Sequence, residues 1–380
     1  MKKNLSLILL LSVALFACKS KQSQESEPES KLAFSMNFFR AVLEQSKDDE
    51  TVFVSPYSAG VALSMLTQGA EGETLAELQK ALNYCDFANE DLGANDSVIV
   101  KSSNSVWLDK NFQVKKNYMN FLEKNYSAVA ATRHFADPST VQEINKWCSD
   151  NTEGKINSIL ERIDPSVVMI LANALYFKAP WEMPFREFAT NKSIFHSVKG
   201  DKEVDFMNQT TVLRYAEFAG NQLVELPYKG GRYAMYVVLP SPKVKASDLH
   251  KYLNEAGYLE AKSALSPERI SLSFPKLKID YLISLEPTLH SMGIQAAFRK
   301  DADFSRMTSE KVSVSQVLQK TFLEVDEKGS EAAAVTAIMV SKTSLGVPSA
   351  RYMIVDRPFY LFIADTTTDN ILFAGRVTAI

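Results

Sequence analysis

The chain of 380 residues is poor in cysteine, with three, and in histidine, with four. Three cysteines exclude a disulfide framework, and one of them, Cys18, stands apart near the N-terminus. Cys85 and Cys148 leave one bond open in a compartment that permits disulfides, but both fall in helix-like stretches and read as two buried free thiols. The histidines, at 134, 196, 250 and 290, are far apart and none has a metal-ligand spacing such as HExxH. There is no GxSxG elbow and no Walker loop, since Gly69 to Gly72 lacks the lysine and hydroxyl that hold phosphates. Asp301 and Asp303 are neighbouring loop acids of the solvated kind. An enzyme is therefore the minority reading, and neither metal nor cofactor is expected. Charge of one sign is also missing: the net charge is −3, acids and bases are interspersed, and Lys115, Lys116 and Lys124 fit a solvated helix face. Nucleic acid is not an expected partner.

Nor is any apolar run long enough to span a membrane. Met1-Lys2-Lys3 and the run from Leu5 to Phe16 have the charged start and short apolar core of an export signal. The run ends in Leu15-Phe16-Ala17-Cys18, which looks like a bacterial lipobox; residues 1–17 would be removed and Cys18 lipidated. Residues 18–30, rich in Ser, Gln, Glu and Lys, then read as a flexible tether. The expected location is export with a lipid anchor in a bacterial outer membrane, on its periplasmic or outer face, or release outside the cell.

Leu32, Met36, Phe39 and Leu43 are spaced four, three and four apart, one face of an amphipathic helix. Ser55-Pro56-Tyr57-Ser58 opens a second helix, Leu75, Leu78 and Leu82 mark a third, and Asp137-Pro138 caps another that ends near Asn151 to Gly154. The run Val98 to Leu108 alternates like a strand. Val167 to Phe177, apolar except for Asn173, reads as a strand buried on both faces. Segments 233–239, 270–274, 312–325, 352–364 and 371–378 are all strand-like. Helices dominate early and strands late, which argues for an α+β fold, and no Pro/Gly-rich stretch divides residues 31–380 into domains.

The segment from Glu327 to Val340 carries two structures at once. By propensity, Glu331, Ala332, Ala333 and Ala334 start a helix; by twos, Ser330, Ala332, Ala334, Thr336, Ile338 and Val340 form the small-then-apolar face of a strand. The segment alone leaves both open.

The chain resembles the serpin family from about Ala33 to Ile380. The resemblance is carried, in order, by Val52 to Ser58, Asn145 to Ile156, Leu171 to Trp181, Phe274-Pro275-Lys276-Leu277, Asp356-Arg357-Pro358-Phe359 and Phe373 to Val377. It implies N-terminal helices on a large central sheet, further sheets, and a reactive-centre loop at about 327–350, in one monomeric domain. The hinge would be Glu327, Gly329, Ser330, Glu331, Ala332, Ala333, Ala334 and Thr336. Ser55, Ser58 and Asn173 match the polar shutter cluster beneath the main sheet, with Gln319 where many relatives have histidine. Trp181 matches the breach, where the loop would first enter. The implied activity is trapping of serine, and also cysteine, endopeptidases by an acyl-enzyme and loop insertion. The alternative is a scaffold or carrier whose loop is cleaved without trapping. A count of seventeen residues from Glu327 puts the scissile bond between Thr343 and Ser344, and a hinge one residue shorter puts it after Lys342. The first suits elastase- or subtilisin-like proteases, the second trypsin-like ones.

Overall fold

The computed structural model describes residues 30–88, 92–93, 98–242, 249, 252–330 and 349–380. The first half carries most of the helices. These are α1 (Lys31–Gln45), α2 (Pro56–Gly69) after the short β1 (Val52–Val54), and α3 (Gly72–Ala81). Then come β2 (Ile99–Asp109), α4 (Lys116–Tyr126), β3 (Val129–Arg133), α5 (Pro138–Asn151) and β4 (Met169–Pro180). Strands prevail from there: β5 (Asn191–Ser197), β6 (Gly200–Phe218), β7 (Asn221–Pro227) and β8 (Tyr233–Leu239). After α6 (Glu255–Ser263) follow β9 (Ser266–Pro275), β10 (Leu277–Ser284), α7 (Glu286–Ser291), β11 (Gln316–Val325) and β12 (Gly329–Ser330). The chain closes with β13 (Arg351–Ile354), β14 (Phe359–Asp365) and β15 (Ile371–Val377). This is the α+β arrangement expected.

Local chemistry explains the helix starts. Ser55 caps α2 by accepting from the Ser58 N–H, with Pro56 at the first helical position, and Asp137 caps α5 in the same way through Ser139 N–H. Leu32, Met36, Phe39 and Leu43 are all buried, as their spacing requires. Where the pattern misleads, the cause is physical. The strand-like run 312–325 begins only at Gln316, and 352–364 is two strands, because Asp356-Arg357-Pro358 interrupts the ladder and Pro lacks a donor. The long β6 has little alternation to announce it, its first five residues being largely exposed. Cys85 lies past the end of α3 rather than in a helix; it and Cys148 are buried free thiols, and burial pushes the Cys148 thiol up to about 12.

Two sheets result. One runs β1-β15-β14-β8-β7-β6-β9-β13, with β5 beside β6. The other runs β10-β11-β12-β4-β2-β3, with β11 also pairing β4 directly. β4 is buried along nearly its whole length because both faces are covered. On one face Ile170 and Ala172 pack with Ile144 and Cys148 of α5; on the other Met169, Leu171 and Leu175 join the main core with α1 and α2.

Candidate functional site

The middle of the second sheet is only partly closed. β4 and β11 run parallel and pair from Ile170 to Ala174 against Gln316 to Lys320. Beyond that point residues 175–178 and 321–324 have no ladder with each other, and Gly329–Ser330 sits between the strands at the far end. Ser330 pairs with Ala179 on one side and Val325 on the other. Four unpaired residues on each strand correspond to a slot of roughly 13 Å at about 3.3 Å per residue.

The chain enters this slot through a tight turn. Asp326 accepts from the Lys328 N–H (2.8 Å) and the Gly329 N–H (3.2 Å), which turns the backbone back against β4. Gly329 has φ +153, and a Cβ there would lie 2.2 Å from the Ala179 carbonyl oxygen, so only glycine fits. Ser330 is fully buried, and its hydroxyl lies 2.6 Å from that of Tyr228.

Polar contacts fasten the turn. Glu327 is buried, yet Lys276 Nζ lies 2.9 Å from its Oε1 and the Thr190 hydroxyl donates to the same oxygen at 2.6 Å. Burial alone would raise the Glu327 carboxyl; the hydrogen bonds from Lys276 and Thr190 outweigh it and hold the group below the usual carboxylate range. Trp181 is a core residue stacked on Tyr228 at 4.5 Å. Its backbone N–H donates to the Lys328 carbonyl (2.9 Å) and its indole N–H to the Asp326 carbonyl (3.0 Å).

A second polar group lies where β4 and β11 still pair. Asn104, Asn173 and Gln319 stand in register across β2, β4 and β11. The Asn173 amide donates to Asn104 Oδ1. Gln319 accepts from the Ser55 N–H (2.8 Å) and donates to the Ser55 carbonyl (2.9 Å), tying β11 to the start of α2. Ser58 is adjacent, its N–H bound to Ser55 Oγ, while Ser58 Oγ and Asn173 Oδ1 have no partner among the described residues. All five residues are buried.

Ser55, Ser58, Asn173 and Gln319 are therefore brought together, and Trp181 lies beside Glu327, Gly329 and Ser330. Hinge residues Glu331, Ala332, Ala333, Ala334 and Thr336, the bond candidates Lys342, Thr343 and Ser344, and Cys18 lie outside the described residues. Asn104, Lys276, Thr190 and Tyr228 also belong to the site. Lys276 sits in a sequence landmark, and Asn104 is a polar residue within the alternating run; Thr190 and Tyr228 carry no local signal at all. Among the described residues no group of acids, histidines and cysteines could hold a metal, and no helix is long and apolar enough to cross a membrane.

This architecture has relatives. The model of the serpin (serine protease inhibitor) family matches residues 29–380, and the chain belongs to that family. It is 31% identical to Iripin-2 of Ixodes ricinus, over 99% of this chain and 98% of that protein. Among solved structures it resembles the native state of Tengpin, a thermophilic serpin, at 31% identity and TM-score 0.85, covering 93% of this chain and 94% of Tengpin. It also resembles thyroxine-binding globulin in complex with thyroxine, at 25% identity and TM-score 0.82, covering 92% of this chain and 98% of that one.

Proposed function

We propose that the protein is a single-use inhibitor of endopeptidases that works by covalent trapping. The observation that carries this reading is the slot between β4 and β11, with Gly329 and Ser330 at its mouth. The target's nucleophilic oxygen attacks the carbonyl carbon of Lys342 or Thr343, an ester forms, the peptide C–N bond breaks, and the new amine leaves with the proton. The freed hinge then enters the slot as a strand. Each added ladder hydrogen bond contributes about 0.5–1.5 kcal/mol, so about a dozen are needed for insertion to outrun hydrolysis of the ester. Ser330, Ala332 and Ala334 are small and uncharged where the strands must part, whereas Ile338 and Val340 each add about 1.5–3 kcal/mol by apolar burial. In this reading Ser330 to Val340 supply the motion, Trp181 guards the entry, Ser55, Ser58, Asn173 and Gln319 hold the strands together, and Lys342 to Ser344 select the protease. Export and lipidation of Cys18, with one domain from residue 31 onward, belong to the same proposal and are tested by incorporation of labelled palmitate, lost in Cys18→Ser.

The deciding experiment mixes the protein with a trypsin-like and an elastase-like protease and looks for a complex that survives a denaturing gel. The N-terminus of the released C-terminal peptide, Thr343 or Ser344, fixes the bond. Cleavage without complex would overturn trapping. A second reading, a carrier cleaved without trapping, is favoured by the likeness to a thyroxine complex. It predicts a cleaved form whose melting temperature is unchanged, where insertion raises it sharply.

A further inference from the structure

The chain enters the folded domain at Ser30, and that point is pinned on both sides. The Ser30 hydroxyl caps α1 by accepting from the Ala33 N–H and donates to the Glu255 carboxylate of α6. Its carbonyl accepts from the Asn83 side-chain amide (3.4 Å) in the turn after α3. Two large apolar side chains stand beside these contacts. Tyr84 follows Asn83 and is 54% exposed; Leu259, one turn beyond Glu255 on the same face of α6, is 43% exposed. Tyr84 is also strained: its φ is +59, a left-handed conformation that Asn83 before it (φ +52) tolerates and a bulky residue adopts only at a cost. A strained, exposed ring serves the fold poorly, which points to a contact outside it.

The chain before Ser30 names the contact. Twelve residue steps separate Cys18 from Ser30, a reach of at most about 43 Å. A compact domain the size of residues 31–380 is roughly 50 Å across. With Cys18 in a lipid leaflet, the Ser30 face is held nearer to the surface than the domain's own width, at an effective concentration on the order of millimolar. Weak contacts are then enough. Neighbouring charges do not select the lipid, since Lys31 and Lys80 are balanced by Asp86, Glu255 and Glu260. The contact that remains is apolar and interfacial, for which tyrosine and leucine are suited.

We propose that the face around Ser30 docks on the lipid surface that holds Cys18, with Tyr84 at headgroup level and Leu259 beside it. The inference rests on the lipidation of Cys18 proposed above and is independent of protease trapping. Docking fixes how the domain stands on the membrane, where a tether alone would leave it free to turn.

The test supplies the anchor chemically. The chain from Cys18 to Ile380 is coupled through Cys18 to a maleimide phospholipid in phosphatidylcholine vesicles, Cys85 and Cys148 being buried free thiols. Hydrogen exchange of residues 82–88 and 255–263 should slow at least about twofold on anchoring, as for a contact half occupied at millimolar effective concentration. Residues 46–50, beyond the other end of α1 and about 22 Å away, should not change. The slowing should persist in about 0.5 M salt, which screens charge contacts. It should be lost in Tyr84→Asn/Leu259→Gln, which stays anchored. Tyr84→Asn alone should melt no lower than the natural chain, because asparagine accepts the left-handed conformation. No slowing on anchoring, slowing that survives the double variant or vanishes with salt, or a lowered melting temperature in Tyr84→Asn would each overturn the assignment. So would the same slowing in unanchored Cys18→Ser at high protein concentration, which would make a second copy of the chain the partner. Palmitate labelling in cells reads lipidation separately, so its failure and a failure of docking are told apart.

Discussion

Lys276 and Glu327 meet at 2.9 Å across the mouth of the slot, joining the end of β9 to the turn that feeds Gly329 and Ser330 between the strands. Glu327 is buried and Lys276 is partly exposed, with 38% of its side chain open to water. The pair is thus screened on one side only. Glu327→Gln keeps an acceptor for Thr190 and removes the charge; it should cost about 1–2 kcal/mol, between the values for exposed and buried pairs. The check is thermal unfolding at neutral pH, where the variant should melt a few degrees lower; an unchanged midpoint would mean that the pair does not hold the turn.

The same contact has a pH signature. The folded Glu327 carboxyl lies below its ordinary value of 4.5, so the unfolded state takes up the proton first as pH falls. Its contribution is complete above about pH 4.5 and is lost as pH drops through the lowered folded value. Melting curves of the natural protein and Glu327→Gln should therefore differ by a constant amount from pH 8 to about 5 and converge in more acid solution. A gap that widens in acid would reverse the sign and refute it.

At the other polar cluster, Gln319→Ala leaves the Ser55 N–H buried and unpaired, while the Ser55 carbonyl loses one of its two donors and keeps the Ala59 N–H. The expected loss is about 1–3 kcal/mol, read as a shift in denaturant midpoint. Gln319 also predicts an absence: an amide does not titrate, so stability should show no step near pH 6.5 from this position. Gln319→His should introduce one, because imidazole changes charge there. Equilibrium unfolding at pH 5.5, 6.5 and 7.5 compares the two.

Gly329→Ala places a methyl group against the Ala179 carbonyl and Pro180 Cα at 2.2 and 2.6 Å. Backbone cannot yield that far, so residues 329–330 should leave the sheet. Hydrogen exchange of the Ser330 amide should rise to that of an unpaired loop, while the Gln316 to Lys320 ladder keeps its protection.

Ala334→Pro tests the proposed motion itself. Proline removes a ladder donor from a strand entering mid-sheet, so insertion should lose the race with hydrolysis. The variant should be cleaved as a substrate with the covalent complex reduced at least about tenfold; an undiminished complex would sink the insertion account.

Much of this molecule is legible in one dimension. The four-three-four spacing of Leu32 to Leu43, the Ser55-Pro56 cap and the wholly apolar strand around Asn173 are local or periodic signals, and each lies in the structure where its pattern puts it. The meeting of Ser55 with Gln319 is different, because their contact spans 264 positions and needs α2 and β11 to be brought together by other elements. The same is true of Thr190 on Glu327 and of Tyr228 on Ser330. β6 escapes a pattern reading because a strand with little to bury need not alternate.

The sequence by itself determined the class: the order of helices and strands, the family landmarks, and a small, uncharged residue at Ser330. Hydrophobic periodicity and caps are set by neighbours along the chain, so they are written there. Only the tertiary structure decided that β4 and β11 pair for five residues and then part, that Glu327 is buried against Lys276, and that Gln319 meets the start of α2. Those are balances of burial against hydrogen bonding between segments remote in sequence, and they exist only once the sheets have formed.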